Sequence, residues 1–219
     1  MKKDAVTAPR PRKPRGRPRS FDREAALDAA MKVFWSKGYE GASLAELTDA
    51  MGINPPSLYA AFGDKEGLFL EAAARYEAQL RDACPYADEP TARESVEKLL
   101  TDLVGVFTGT GHPRGCMLVL AAATASASPR LQAALAERRA GARARFKSRI
   151  EQGIREGELP ADTDSGSLAN FYVAVIIGMA MQARDGATRK GLLATVESAM
   201  RAWPEPPKAS RSRRDALAA

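Results

Sequence analysis

The sequence predicts an all-α protein of about nine helices. Three observations carry this expectation. Apolar residues recur at spacings of three and four along most of the chain, and the alternation of a half-buried strand is almost absent. Ser, Thr, Asp or Asn stands at the head of most of these runs, where its side chain can accept from unpaired backbone N–H groups. Glycine or proline closes several of them.

The elements follow in order. The first helix starts at Asp22 and runs to about Lys37, with Leu27, Ala30, Val33 and Phe34 on its apolar face and Gly38 as its stop. The second begins at Ser43, with Glu46 three residues on to complete a capping box, and ends before Gly52. The third takes Asn54 as N-cap and Pro55 in the first helical position, where a missing N–H costs nothing, and ends near Phe62–Gly63. The fourth starts at Asp64, carries Leu68, Ala72, Tyr76 and Leu80, and stops before Pro85.

The later helices are longer. Thr91–Phe107 repeats Val96, Leu99, Leu100, Leu103 and Val106, and a glycine-rich loop from Gly109 to Gly115 follows. Cys116–Ala127 is apolar nearly all round and reads as a central buried helix. Ser128–Pro129 interrupts the chain. Arg130–Glu156 then forms a long helix whose basic stripe (Arg138, Arg139, Arg143, Arg145, Arg149) reads as a solvated face. After a loop at Gly157–Asp164, Ser165–Arg184 and Thr188–Trp203 complete the set.

Composition bounds the function. At 219 residues, 45% apolar and 27% charged, the chain can bury a real core in one or two domains. The net charge of +6 is unevenly placed. Residues 1–20 hold eight basic side chains and only Asp4 as an acid, among four prolines, so they read as an extended, disordered basic arm. Residues 204–219 read as a flexible, proline-rich basic tail, and the body between is close to neutral. Such an arm suits nucleic acid or an anionic membrane; the lack of apolar anchors beside its charges argues against the membrane. The longest apolar run, Phe171–Met181, is too short for a span of about 20 residues and reads as a buried core helix. Two cysteines and no apolar segment after the basic N-terminus fit a reducing cytoplasm and no signal peptide. One histidine, no phosphate loop after a strand and no recognisable carboxylate pair leave no catalytic constellation, so no enzyme and no cofactor is expected.

Residues 43–62 hold two short capped helices joined by Gly52-Ile53-Asn54, the spacing of a helix-turn-helix. In that motif the first helix braces on the DNA backbone and sets the N-terminal end of the second in the major groove. The stretch from Phe21 to Tyr76, containing REAALDAAMKVFWSKGYEGASLAELTDAMGINPPSLYAAFGDKEGLFLEAAARY, resembles the TetR family of bacterial transcriptional regulators. Its specific points are Ala29, Phe34, Gly38, Tyr39, Ser43, Ile53, Ser57, Leu58, Tyr59, Phe62, Lys65 and Leu68, over roughly a quarter of the chain.

The resemblance implies a three-helix DNA-binding domain at residues 21–66. It also implies a divergent helical domain at 67–203 that binds a small molecule and forms a homodimer on double-stranded operator DNA. Repression is that family's commoner mode. Tyr59 and Lys65 match family positions that contact phosphates; a phenol hydroxyl and a lysine at a helix start suit an anion. Ser43 can do the same from its helix start, or serve only as the N-cap. Leu58 and Phe62 read as packing residues, leaving Pro55, Pro56, Ser57 and Ala60 to face the groove. That face has no Arg, Asn or Gln for a bidentate base contact, so thymine methyls and DNA shape must supply more of the specificity.

Residues 14–19, Pro-Arg-Gly-Arg-Pro-Arg, look like the core of an AT-hook. Gly16 lets the backbone enter a narrow minor groove, and Arg15 and Arg17 reach along its floor, where A·T tracts concentrate negative potential. An architectural binder using this element alone is the alternative function; it predicts neither ligand response nor a palindromic site.

The effector pocket is expected among the middle helices, with Leu103, Phe107, Cys116, Met117, Leu120, Phe171, Val175 and Met179 as candidates. Tyr172, Ile176, Leu192, Val196, Met200 and Trp203 repeat at three and four on the last two helices and read as the dimer face. Cys116 follows Gly115 at a helix start, near Arg114 and His112, a setting that lowers a thiol pKa and fits an electrophile or oxidant sensor. A small buried core residue is the plainer reading. His112, Cys116 and Met117 lack diagnostic ligand spacing, and no metal is expected.

Overall fold

The computed structural model describes residues 21–85, 89–124 and 128–205, with 122–124 described for the main chain only. Among these residues there are nine helices and no strand: α1 Arg23–Gly41, α2 Leu44–Met51, α3 Pro55–Phe62, α4 Lys65–Ala83, α5 Ala92–Thr108, α6 Met117–Thr124, α7 Pro129–Arg155, α8 Ser165–Arg184 and α9 Arg189–Met200. Side-chain caps set most of the starts. Asp22 accepts from the Glu24 and Ala25 amides, Thr91 and Glu94 form a second capping box, and Ser128, Asp164 and Thr188 cap α7, α8 and α9. Asp64 and Thr188, expected inside their helices, are N-caps, and α9 gives way to a turn after Met200, three residues short of Trp203. At Gly38 the backbone turns to φ 73° and breaks the α1 helix where its stop was expected; one further short turn reaches Gly41.

Two apolar cores form. The first gathers α1–α4, with Leu27, Phe34, Leu47, Leu58, Leu68 and Phe69 fully or almost fully buried, and also takes Met117 and Ala121 of α6 and Leu131 and Leu135 of α7. The second gathers α5, α8 and α9 with part of α7, around Leu100, Phe107, Ile150, Tyr172 and Met179. The expected domain division at 66/67 falls at the start of α4, yet Leu68, Phe69, Ala72, Ala73 and Tyr76 of α4 all face the first core. Leu80 and Cys116 pack against both cores and mark the seam between them.

Polar ties reinforce that seam. Arg184 at the end of α8 donates to the carbonyls of Trp35 and Ser36 on α1. Arg114, in the loop before α6, donates to Ala183 O at 2.9 Å and to Ala187 O. His112 stacks on Trp35 with ring centroids 4.6 Å apart.

Three expectations about burial are corrected. The α8 helix buries only Ala169, Tyr172, Met179, Ala180 and Ala183; Phe171, Ile177 and Met181 are 41%, 39% and 39% exposed. It is long and apolar enough to cross a membrane by length and composition, yet one face packs in the second core and the other is left open. The α6 helix is central but not buried all round: Met117 and Ala121 are enclosed, while Leu118, Val119 and Leu120 are half-buried. The α7 arginines are not uniformly solvated either. Arg149 is 8% exposed, with its Nε 3.0 Å from the Ser95 hydroxyl and Nη2 3.2 Å from Glu89 O, and Arg138 is ion-paired to Glu77 of α4. Only Arg139, Arg143 and Arg145 of the stripe stand exposed.

Candidate nucleic-acid interface and adjoining cavity

The geometry of α2, the turn and α3 follows from local chemistry. Ser43 Oγ accepts from the Glu46 amide at 3.2 Å, and Glu46 Oε2 accepts from the Ser43 amide at 3.1 Å. The Ser43 hydroxyl also donates to Glu46 at 2.9 Å, so its one proton is used within the cap. The α2 helix ends at Gly52, whose φ of 64° and ψ of 32° suit glycine, and the Ile53 amide closes the turn on Thr48 O at 3.0 Å. Asn54 then accepts from the Ser57 amide at 2.9 Å and starts α3 with Pro55 and Pro56 in its first turn.

The faces of α3 separate by burial. Leu58 and Phe62 are buried in the first core; Arg23 lies over the Phe62 ring at 4.4 Å and pairs with Glu71 of α4. Pro55, Pro56, Tyr59 and Ala60 are exposed and Ser57 is half-buried, so the expected groove-facing residues share one open face. Tyr59 is 48% exposed. Lys65 stands in the first turn of α4 with its Nζ 4.5 Å from the centre of the Tyr39 ring, which limits the side chain's wandering. Burial lowers its pKa from the usual lysine value, against a smaller opposing effect of Glu40.

The α4 helix is held hard against this reader. A Cβ added at Gly67 would lie 2.3 Å from the backbone carbonyl oxygen of Phe62, so only glycine allows the first turn of α4 to meet the end of α3. Arg75 pairs with Asp28 and Glu24 of α1, and its hydrogen bonds hold the Asp28 carboxyl below the usual range.

One pH response follows from the cap. The Lys37 contact, then the Ser43 hydrogen bonds, pull the Glu46 pKa down to about 2. The folded value lies below the unfolded one, so this support for α2 is complete above an ordinary Glu pKa of about 4.3 and is lost as pH falls through the folded value. Acid titration followed by NMR should show the Glu46 amide losing protection over that window, and Glu46→Gln should remove the pH dependence.

The second feature is a cavity of about 520 Å³ at the seam between the two cores. Of the residues expected there, Leu103, Phe107 and Cys116 line it. Met117 and Met179 are instead buried in the first and second cores, Phe171 is exposed on α8, and Leu120 and Val175 do not reach the cavity wall. Ile176, expected at the dimer face, lines it, as do Leu80, Leu99, Leu135, Phe146 and Arg138, which sequence reasoning missed. The other five residues expected at the dimer face, Tyr172, Leu192, Val196, Met200 and Trp203, are buried in this chain's own second core. Their periodic stripe is covered by α5 and α8, not left for a second copy.

Both thiols line the cavity, and neither favours its anion. Burial pushes Cys84 up to about 11. Burial also raises Cys116, outweighing the opposing pull of the nearby Tyr76 hydroxyl and the Val119 and Leu118 amides. The lowered pKa expected at Cys116 is therefore corrected: Arg114 is engaged with carbonyls at the end of α8, and desolvation wins. Among the described residues no group of three or more His, Cys, Asp or Glu side chains gathers in a way that could hold a metal. Arg15, Gly16 and Arg17 lie outside the described residues.

An exposed helix-turn-helix, packed through a shared helix onto a larger helical domain with its own cavity, defines a helix-turn-helix DNA-binding regulator. Comparisons with known proteins make this specific. Residues 26–72 match the family model for bacterial regulatory proteins of the tetR family, and residues 90–202 match the tetracyclin repressor-like C-terminal domain. The chain is 36% identical to the HTH-type transcriptional repressor ComR of Escherichia coli K12 over 203 residues, covering 89% of this chain and 94% of ComR. It is 41% identical to the E. coli K12 repressor BdcR over 108 residues, covering 48% of this chain and 54% of BdcR. In three dimensions it is similar to a cysteine-substituted form of the TetR-family regulator CifR in complex with 26-bp double-strand operator DNA. That likeness has a TM-score of 0.80 and 52% identity, and covers 86% of this chain and 100% of CifR. The chain belongs to the TetR family of transcriptional regulators.

Proposed function

We propose that this chain is a repressor that binds a two-fold symmetric operator as a homodimer and is released by a small molecule held in the cavity. It works in the cytoplasm and catalyses no reaction. One observation carries the reading: the exposed Pro55–Ala60 face of α3, fixed from behind by Leu58 and Phe62 and flanked by Lys65. The likeness to CifR, solved in complex with operator DNA, supports a DNA-binding role for this chain. Tyr59 and Lys65 hold phosphates, while Pro55, Pro56, Ser57 and Ala60 approach the groove floor. The Arg15–Gly16–Arg17 arm adds minor-groove contacts beside each half-site.

Two readers must be held at a set spacing to grip two half-sites, about 34 Å apart. The open apolar face of α8, with Phe171 and Met181, is a patch that a second copy can cover by two-fold symmetry. Sedimentation of the wild-type protein is expected to show a dimer. Met181→Glu should shift it to monomer, and operator affinity, read by fluorescence anisotropy, should fall at least about tenfold because a single reader lacks the second half-site. A dimer that survives this change would remove α8 from the interface.

A further inference from the structure

The cavity has an uneven chemistry. Its body is apolar, with Leu103, Phe107 and Phe146 among its walls, but among the described residues four arginines line it against a single acid, Glu77. Glu77 is already paired with Arg138, and both side chains are about three-quarters buried, at 23% and 24% exposed. Among the described residues Arg81, Arg139 and Arg145 have no carboxylate partner.

We propose that the cavity takes an organic anion: an alkyl or aryl body ending in one carboxylate, held by the arginines of α4 and α7. This rests on the reading of the cavity as the effector site. An apolar body is required because polar groups buried against these walls would lose water without gaining partners. The charged end is required because guanidinium groups match a carboxylate in shape as well as sign, and a cation would meet repulsion there. The volume lies within the range of small-molecule sites, roughly 300–1,000 Å³.

The same chemistry supplies a trigger. Glu77 lies on α4, whose first turn abuts the recognition helix, and Arg138 lies on α7. A ligand carboxylate competes with Glu77 for Arg138 and loosens the tie between α4 and α7. An anion that binds better when this pair is open shifts the chain toward that state, by linkage.

Calorimetry on the full chain with octanoate, octan-1-ol and octylammonium tests the ligand class. Octanoate is expected to bind at least about tenfold more tightly than octanol, the effect of one charge-assisted hydrogen bond, and octylammonium more weakly still. Arg138→Gln and, as a surface variant that leaves the α4–α7 pair intact, Arg145→Gln should each reduce the octanoate preference. Glu77→Gln should raise octanoate affinity by removing the competing carboxylate, an effect that mere loss of packing would not give. Equal binding of octanoate and octanol, binding of neither, or a preference unchanged in both arginine variants would overturn the proposal. Operator anisotropy, run in parallel, separates the two readings. Failure to bind any operator counts against the regulator function and leaves the anion preference to the calorimetry. Octanoate that binds without releasing operator overturns the α4–α7 trigger.

Discussion

Tyr59→Phe is expected to weaken operator binding by about ten- to a hundredfold per reader while leaving the melting temperature nearly unchanged. The change removes one hydroxyl from a side chain that is 48% exposed, so the fold loses little. In the proposed complex the hydroxyl donates to a charged phosphate, a bond of roughly 1.5–3 kcal/mol, which converts to that range of affinity at each reader. Lys65→Gln separates the electrostatic part. Removing one phosphate-neutralising charge per reader should weaken binding to all sequences alike and make the slope of log affinity against log salt shallower by about one unit per reader. Anisotropy titrations of labelled duplex across a salt series measure both. Wild-type affinity in Tyr59→Phe, or an unchanged salt slope in Lys65→Gln, would place the phosphate contacts elsewhere.

Phe69→Ala is expected to cost about 3–5 kcal/mol of stability, the usual range for emptying a fully buried aromatic site. Phe69 is fully buried on α4, its ring 5.1 Å from Phe34 and 5.4 Å from Tyr39 in edge-to-face contacts that join α4 to α1. At this chain length the loss corresponds to a fall of roughly 6–20 °C in melting temperature. It should also remove operator binding near that temperature, since the same core supports Leu58 and the recognition helix. Thermal melts and urea titrations give the number. A loss under about 1 kcal/mol would mean that the core under the reader is not packed as described.

How far the sequence could be read depends on the range of the physics involved. Caps and turns are local: Ser43 with Glu46, Gly52, and Asn54 with Pro55 act within four residues, so the helix-turn-helix was legible in the sequence nearly residue by residue. A helical stripe, by contrast, says that a face is covered but not by what. Leu192, Val196 and Met200 form a regular stripe, and its cover is α5 and α8 of the same chain. Phe171 and Ile177, inside a run that looked like core, are left in the open. The cavity was half-legible for the same reason. Leu103 and Phe107 lie on a predicted apolar face, but Leu80, Leu135 and Phe146 reach it only because α4 and α7 converge there. The one available signal was the α7 arginine stripe, whose Arg138 faces Glu77 and whose Arg149 is buried rather than solvated. Cys116 shows how a local rule fails: its helix-start position suggested a reactive thiolate, and burial at the seam reverses the shift.

The central claim is that two copies of the α3 surface read a symmetric site together. Selection of bound duplexes from a random library by the purified full chain tests it most directly. The account predicts a palindrome with half-sites one helical turn or a multiple apart and A·T-rich flanks. Enrichment of A·T-rich DNA with no two-fold symmetry would contradict it.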